Sequence, residues 1–236
     1  WSARWERTGH KDDEDRPEYK SHRIIEASEK EKLEAILSSN AKADVSQTNR
    51  DATEKPPLNF DLTALQREAN NIWSWSAKRT LGVAQDLYDT YKLTTYPRTD
   101  SRHLPEDMFE EITKTIRQLA AQDNYNSHAL QIVDSKNTGG AGMNNTKRNF
   151  NDAKVSDHFA VIPTGKIPEG LSGDHAKLYD LIVRTFLASW YPEATWDVQK
   201  RIATVEGENF IKETRCIKVP GWRSVKPKKQ ALPEGW

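Results

Sequence analysis

One short segment of the sequence combines the residue types needed to attack a phosphate. Tyr96 supplies a phenol, Arg98 a guanidinium and Asp100 a carboxylate, and one residue separates each from the next. Pro97 disfavours a helical conformation at the preceding residue and so favours an extended backbone, in which alternate side chains point to the same side. We therefore expect these three groups and Arg102 to share one side of the segment.

This arrangement suits nucleophilic attack on a phosphodiester. The phenol of Tyr96 is a candidate nucleophile, and the forked donors of Arg98 match two phosphate oxygens. The guanidinium charge would stabilise the transition state and favour ionisation of the phenol. Tyrosine is an uncommon nucleophile, and most of the seven tyrosines should be packing residues. Composition and spacing alone therefore indicate a mixed α and β protein that binds phosphate.

The composition excludes several other classes of protein. The 236 residues suffice for one large domain or two small ones. Lys and Arg equal Asp and Glu at 35 each, which excludes a globally basic nucleic-acid coat but permits a local basic site. The single cysteine, Cys216, excludes a disulfide within the chain and a zinc site that needs several cysteines, and it fits a reducing compartment. No apolar run approaches the ~18 residues of a membrane span.

Two helices are predicted immediately before the tyrosine segment. Asp61 is placed to cap the first and Ser76 the second, and apolar residues recur every three or four positions after each cap. These residues are Leu62, Leu65, Ala69 and Ile72 in the first helix, and Thr80, Ala84, Leu87 and Tyr91 in the second. Because the connection is short, the pair is either a helix-turn-helix unit or an ordinary αα-hairpin.

The other predicted elements flank this region. A helix follows Pro105, and another runs from Leu178 to Trp190 and stops before Pro192. Ser28 and Glu31 have the spacing of a capping box, ahead of a helix. In the helix after Pro105 the apolar residues are Met108, Ile112, Ile116 and Leu119. In the helix after Ser28 they are Leu33, Ile36 and Leu37.

The remaining sequence predicts strands and loops. Trp196 to Val205 and Phe210 to Val219 alternate as strands do. Asn40 to Pro57 is polar and predicts a linker or an extended arm, and Asp134 to Asp152 predicts a surface loop. The glycines of this loop, at 138–142, are not followed by the Lys-Ser or Lys-Thr pair of a phosphate-binding loop.

Residues 96–102, which read Tyr-Pro-Arg-Thr-Asp-Ser-Arg, resemble the active-site signature of type IA DNA topoisomerases, and are most similar to that of bacterial topoisomerase III. Further blocks follow in the family's order over residues 56–226: Pro56 to Asn70, Ser76 to Gln85, the histidine segment Asp152 to Thr164, Leu178 to Asp180, and Pro220 to Val225. Several independent blocks in the same order make coincidence an inadequate explanation.

The resemblance implies a mixed, mainly α fold. Residues 58–192 would form a helical domain that carries the catalytic tyrosine on a helix-turn-helix-like unit. Residues 1–57 would hold arch strands and a linker, and residues 193–236 would hold the returning arch strands.

The resemblance also implies an activity. Such enzymes cut one DNA strand through a tyrosine, which leaves a 5′-phosphotyrosine and a free 3′-hydroxyl, and they pass another strand before religation without ATP. Tyr96 would be the nucleophile, Arg98 would hold the scissile phosphate, and His158 would form a hydrogen bond near the cleavage site. The further residues expected to position or contact DNA are Lys78, Arg79, Asp100, Ser101 and Arg102. For Lys78 and Arg79, the role of solvated helix charges is an equal alternative.

The sequence departs from the family pattern at several places. Phe159 stands where the family often has a second histidine, and the loop from Asn137 to Asn149 is longer than is usual in the family. The family's acidic Mg²⁺-binding domain and its zinc modules are not in these residues. Together with a start at Trp1, this predicts an internal fragment that binds no metal itself and does not turn over alone.

The expected partners are single-stranded DNA and the metal-binding domain of the same protein. We expect a monomer without a membrane association, in the bacterial cytoplasm near the nucleoid. A single-strand-binding module without chemistry is the alternative function. A tyrosine recombinase or a relaxase is disfavoured, because the former needs an Arg-His-Arg set before a late tyrosine and the latter a histidine cluster.

Overall fold

A computed structural model describes residues 2–11, 15, 17–39, 42–134 and 142–226. The chain divides into two compact units, one of residues up to 53 together with 195–219, and one of residues 54–194 together with those from 220 onward. The first unit contains the sheet and the second contains most of the helices. The interpretation of the two units as an arch and a tyrosine domain remains a prediction.

The first unit is a sheet with one helix. Its elements are β1 (Arg4–Glu6), α1 (Ala27–Ser38), β2 (Asp44–Glu54), β3 (Ala194–Val205) and β4 (Glu208–Val219). The strands lie in the order β1-β4-β3-β2, and β4 is antiparallel to both of its neighbours. The two strands predicted from alternation, at 196–205 and 210–219, are confirmed within β3 and β4.

One alternative and one predicted cap in this unit are wrong. Of the linker and the extended arm predicted for residues 40–57, the linker is wrong, because residues 44–54 form the extended strand β2. Nearly all of β2 is exposed, so it shows no apolar alternation, and polar contacts such as that of Lys218 Nζ with Asp51 Oδ1 (2.9 Å) join it to the rest of the unit. The predicted capping box is also absent, because α1 begins at Ala27 after Glu26 and has no side-chain cap.

The second unit is mainly helical. Its α-helices are α2 (Leu62–Trp73), α3 (Ala77–Asp89), α4 (Phe109–Leu119), α5 (Asn126–Val133), α6 (Thr146–Asn149) and α7 (Gly173–Ser189), with short 3₁₀ helices at Glu106–Met108, Asp152–Lys154 and Gly221–Ser224. Helix α3 packs between α2 and α7, and α4 packs on α5. The part of the predicted surface loop at 135–141 lies outside the described residues, and its later part contains α6.

The local signals for α2 and α3 are confirmed. The carboxylate of Asp61 accepts a hydrogen bond from Ala64 N at 2.5 Å, and the hydroxyl of Ser76 accepts one from Arg79 N at 3.2 Å. Most of the predicted apolar positions are buried, namely Leu65, Ala69, Thr80, Ala84 and Leu87. Ile72 is half exposed, because it lies in the last turn of α2.

Helix α7 is the central helix of the core. It begins at Gly173, earlier than predicted, because its first turn is polar and only partly buried. From Leu178 onward nearly every side chain is buried, so the helix is covered on all sides. Among the described residues, no helix is both long enough and apolar enough to cross a membrane.

Hydrogen bonds join the three places where the chain enters or leaves the helical unit, near Glu54, Pro192 and Trp222. Trp222 donates from Nε1 to Glu54 O at 3.0 Å and from its backbone nitrogen to Pro192 O at 3.0 Å. Arg223 pairs with the carboxylate of Glu54. Gly221 allows this approach, because its φ is +50° and a Cβ there would lie 2.3 Å from the carbonyl oxygen of Glu193.

Replacement of Gly221 by alanine should lower the free energy of unfolding by more than about 1 kcal/mol, because the new Cβ meets backbone atoms in a strained conformation. The matched control is Gly82→Ala. Gly82 lies inside α3, nothing lies near the position of its added Cβ, and alanine there should stabilise by about 0.5–1 kcal/mol. Urea unfolding of both variants measures the difference, and equal shifts would contradict the argument.

Candidate active site

The tyrosine segment follows α3 as extended chain, and from Tyr96 to Ser101 its side chains alternate as predicted, whereas Arg102 departs from the prediction by turning to backbone carbonyls. Thr99 and Ser101 are buried, whereas Arg98 and Asp100 are exposed. Tyr96 and Arg102 are half-buried. The segment therefore presents its phenol, guanidinium and carboxylate on the outer side and its hydroxyls on the inner side.

The tyrosine segment pairs with the histidine segment. Thr95 donates from its backbone nitrogen to Ile162 O at 3.0 Å and from its hydroxyl to Ala160 O at 2.9 Å. An antiparallel bridge joins Thr94 to Pro163. These bonds place side by side two segments that are far apart in the sequence.

Two buried hydroxyls extend this pairing. Thr99 Oγ1 donates to His158 O at 2.8 Å and accepts from Ser101 N at 3.1 Å. Ser101 Oγ donates to Lys154 O at 2.7 Å and accepts from His103 N at 3.1 Å. The hydroxyl of Ser101, predicted to contact DNA, is therefore used inside the protein to hold the histidine segment.

The structure brings the predicted nucleophile and the predicted histidine together. The rings of Tyr96 and His158 have centroids 4.6 Å apart, and the Tyr88 ring stands edge-on to Tyr96 at 5.3 Å. His158 itself is exposed. An imidazole at this position can exchange a proton with a bound substrate or donate a hydrogen bond to it.

The two charged groups beside Tyr96 differ in their contacts. Arg98 is exposed and has no hydrogen bond or ion pair within the described parts of the chain, so its guanidinium can take a ligand. Asp100 accepts a hydrogen bond from Ser156 Oγ at 2.6 Å. Asp100 therefore holds the histidine segment from the outer side, while Thr99 holds it from the inner side.

The remaining predicted contacts lie elsewhere. Arg102 donates to Asn59 O at 2.9 Å and to Leu58 O at 3.3 Å, so it supports the chain that leads into α2. Arg79 pairs with Asp174 at 2.6 Å, whereas Lys78 is exposed without an ion pair to any described residue. Both lie in the first turn of α3, about 15 Å along the helix from the turn that meets Tyr96. Their role in DNA binding remains a prediction.

The site also contains residues that sequence reasoning missed. Tyr88 contacts Tyr96, but a half-buried tyrosine on a helix has no distinguishing signal in the sequence. The inward position of Thr99 could have been predicted from the same alternation that placed Arg98 outward. Phe159, at the position of the family's second histidine, packs against the hydrophobic core.

Replacement of Thr99 by valine should lower the free energy of unfolding by about 1–3 kcal/mol, because it leaves the Ser101 N–H and the His158 carbonyl without this partner. Thr99→Ser should recover most of the loss. Thr94→Val is the matched control: this hydroxyl is buried without a partner among the described residues, so its removal should cost little. Urea unfolding would refute the assignment if the two valine variants lost equal stability.

Comparison with known proteins covers almost the whole chain. Residues 1–235 match the sequence model of the family described as DNA topoisomerase. The DNA topoisomerase 3 of Shouchella clausii is 41% identical over 72% of this chain and 23% of its own length. That of Bacillus subtilis is 39% identical over 72% of the chain and 23% of its own length. The chain therefore spans about a quarter of the length of these relatives.

A solved structure shares the fold. Full-length topoisomerase I from Thermotoga maritima superposes with a TM-score of 0.62 and 22% sequence identity, over 92% of this chain and 34% of that protein. At this identity the likeness concerns the fold alone, and the family rests on the match of residues 1–235. The chain thus belongs to the DNA topoisomerase family, as its resemblance to the type IA enzymes had indicated.

Proposed function

We propose that the protein carrying this chain is a type IA DNA topoisomerase that cuts and rejoins one DNA strand, and so relaxes or decatenates DNA without ATP. The observation that carries the proposal is the contact of the Tyr96 ring with His158, on the same side of the chain as Arg98, which has no ion pair with any described residue. A phenol, an imidazole and a free guanidinium are the groups that such a reaction needs.

In the proposed reaction, the phenolic oxygen of Tyr96 attacks the phosphorus of a DNA phosphodiester. The phenol loses its proton, the bond from phosphorus to the 3′ oxygen breaks, and that oxygen gains a proton to become a hydroxyl. Arg98 would donate hydrogen bonds to two phosphate oxygens and stabilise the negative charge that develops on them in the transition state. His158 would form a hydrogen bond at the cleavage site. The reverse reaction rejoins the strand, and because the phosphotyrosine bond retains the energy of the phosphodiester, no ATP is consumed.

Single-stranded DNA is the proposed substrate, and Mg²⁺ the proposed cofactor of the whole enzyme. The described residues contain no group of three or more His, Cys, Asp or Glu side chains that could hold a metal, so they do not fit a site for it. We therefore assign Mg²⁺ to an acidic domain elsewhere in the protein, and no step above passes through it. We further propose that the chain alone does not turn over, and that the enzyme acts as a monomer in the bacterial cytoplasm near the nucleoid.

The nucleophile can be tested by trapping the covalent complex. In the full-length protein that carries this chain, Tyr96→Phe should form no adduct with a single strand, because the attacking oxygen is gone. Tyr88→Phe, the control, retains the ring that contacts Tyr96 and should still form one. The wild-type adduct should carry label from a 3′-labelled strand and not from a 5′-labelled one. An adduct with Tyr96→Phe would refute the assignment, and binding without any wild-type adduct would favour the non-catalytic binding module.

The role of Arg98 can be tested by the rate of cleavage. Arg98→Ala should reduce the rate constant for adduct formation by about 10²-fold or more, since a charge that stabilises the transition state is removed. Arg98→Lys should recover part of the rate, because the lysine ammonium keeps the positive charge but cannot donate the paired hydrogen bonds of a guanidinium to two phosphate oxygens. The control is Arg117→Ala, since Arg117 is an exposed arginine in the last turn of α4. A loss for Arg117→Ala as large as that for Arg98→Ala would argue against a special role for Arg98.

A further inference from the structure

Lys92 has a backbone conformation that favours glycine. Its φ is +56°, in the left-handed region, and it lies in the turn that follows α3. In this turn Leu93 N donates to Leu87 O at 2.9 Å, and Tyr91 N donates to Asp86 O at 3.1 Å. Helices commonly end in such a turn with glycine, because a Cβ is strained there. An observed strain of this kind suggests that the side chain serves a purpose.

The side chain of Lys92 extends over the ring of Tyr88, which contacts the candidate nucleophile Tyr96. Its ammonium lies 5.5 Å from the centre of the Tyr88 ring, and Tyr88 in turn contacts Tyr96 at 5.3 Å. Lys92 is exposed, and it has no ion pair with any residue in the described ranges. The nearby carboxylate of Asp89 accepts a hydrogen bond from Gln85 at 2.6 Å. An uncompensated positive charge thus lies one aromatic ring away from the candidate nucleophile.

We infer that Lys92 binds a phosphate of the DNA strand next to the phosphate that Tyr96 attacks. This inference rests on the proposed function. Successive phosphates of one strand follow each other at about 3.4 Å along the axis, so a strand held at Tyr96 and Arg98 carries further phosphates within reach of a flexible lysine. Lys92 precedes Tyr96 in the sequence and Arg98 follows it. In this arrangement the two cations bind different phosphates of the same DNA strand.

A purely structural role is the competing explanation. A cation at the C-terminal end of a helix interacts favourably with the helix dipole. In that case the loss of Lys92 should reduce stability and leave DNA binding unchanged. A phosphate contact predicts the opposite pattern, since glycine relieves the backbone strain while the contact is lost.

The experiment measures affinity for a single-stranded oligonucleotide over a series of salt concentrations. It uses the full-length protein with Tyr96→Phe, which cannot cleave. In this background, Lys92→Gly and Lys92→Gln should each weaken binding about fivefold at 0.1 M salt and reduce the slope of log K against log salt by about 0.7, the value for one phosphate contact on a single strand. Lys92→Arg should retain both. Lys114→Gln, on the exposed side of α4, is the control and should change neither.

Thermal unfolding separates the two explanations. Lys92→Gly should unfold at the same temperature as the parent or higher. A lower unfolding temperature with an unchanged salt slope would assign Lys92 to the helix end and overturn the inference. Absence of any binding by the Tyr96→Phe protein at low salt would overturn the proposed function as well, whereas normal binding with an unchanged slope would overturn the role of Lys92 alone.

Discussion

The hydrogen bonds of the buried Thr99 hydroxyl hold the site together. Thr99 donates to the carbonyl of His158, and Asp100, the next residue, accepts from Ser156 on the outer side. The short stretch that carries the imidazole is therefore held at two points, one inside and one outside. Together with the bonds of Thr95 to Ala160 O and Ile162 O, they keep His158 beside Tyr96, although both lie in irregular chain. A buried hydroxyl that bridges two segments is costly to remove, and so it acts as a strong geometric constraint.

Charge is used in two different ways in the helical unit. Arg79, Arg223 and Arg184 are paired with carboxylates or hold backbone carbonyls, and they serve the architecture. Arg98 and Lys92 have no such partner among the residues described, although Arg98 lies two residues after Tyr96 and Lys92 contacts the Tyr88 ring that packs on it. The whole chain is electrically neutral, yet a strand of DNA would meet positive charge at this point. Whether a cation serves the architecture or can bind a phosphate therefore depends on its pairing with nearby carboxylates or carbonyls. The net charge of the whole chain does not decide it.

Several features of the fold could be predicted because their causes are local. The caps at Asp61 and Ser76 need only a side-chain oxygen and an amide three residues later. The strands β3 and β4 alternate because one of their faces is partly covered. For β2 the sequence left a linker and an extended arm as alternatives, because its residues are exposed on both faces and only its neighbour makes it a strand. The capping box at Ser28 failed for a related reason, since its spacing is common and other contacts decide where a helix starts.

The amino-acid string alone was enough to predict candidate reactive groups at Tyr96, Arg98 and Asp100 and the side on which they lie, since proline and the alternation of extended chain act over a few residues. Its likeness to the topoisomerase signature also pointed to His158. Only the tertiary structure brought the imidazole next to the phenol and turned the hydroxyl of Ser101 and the guanidinium of Arg102 inward to backbone carbonyls. It also revealed Tyr88 beside Tyr96, the candidate nucleophile. The physical reason is that such contacts join residues far apart in the chain, and packing of the whole unit selects them, whereas caps and alternation depend on neighbours alone.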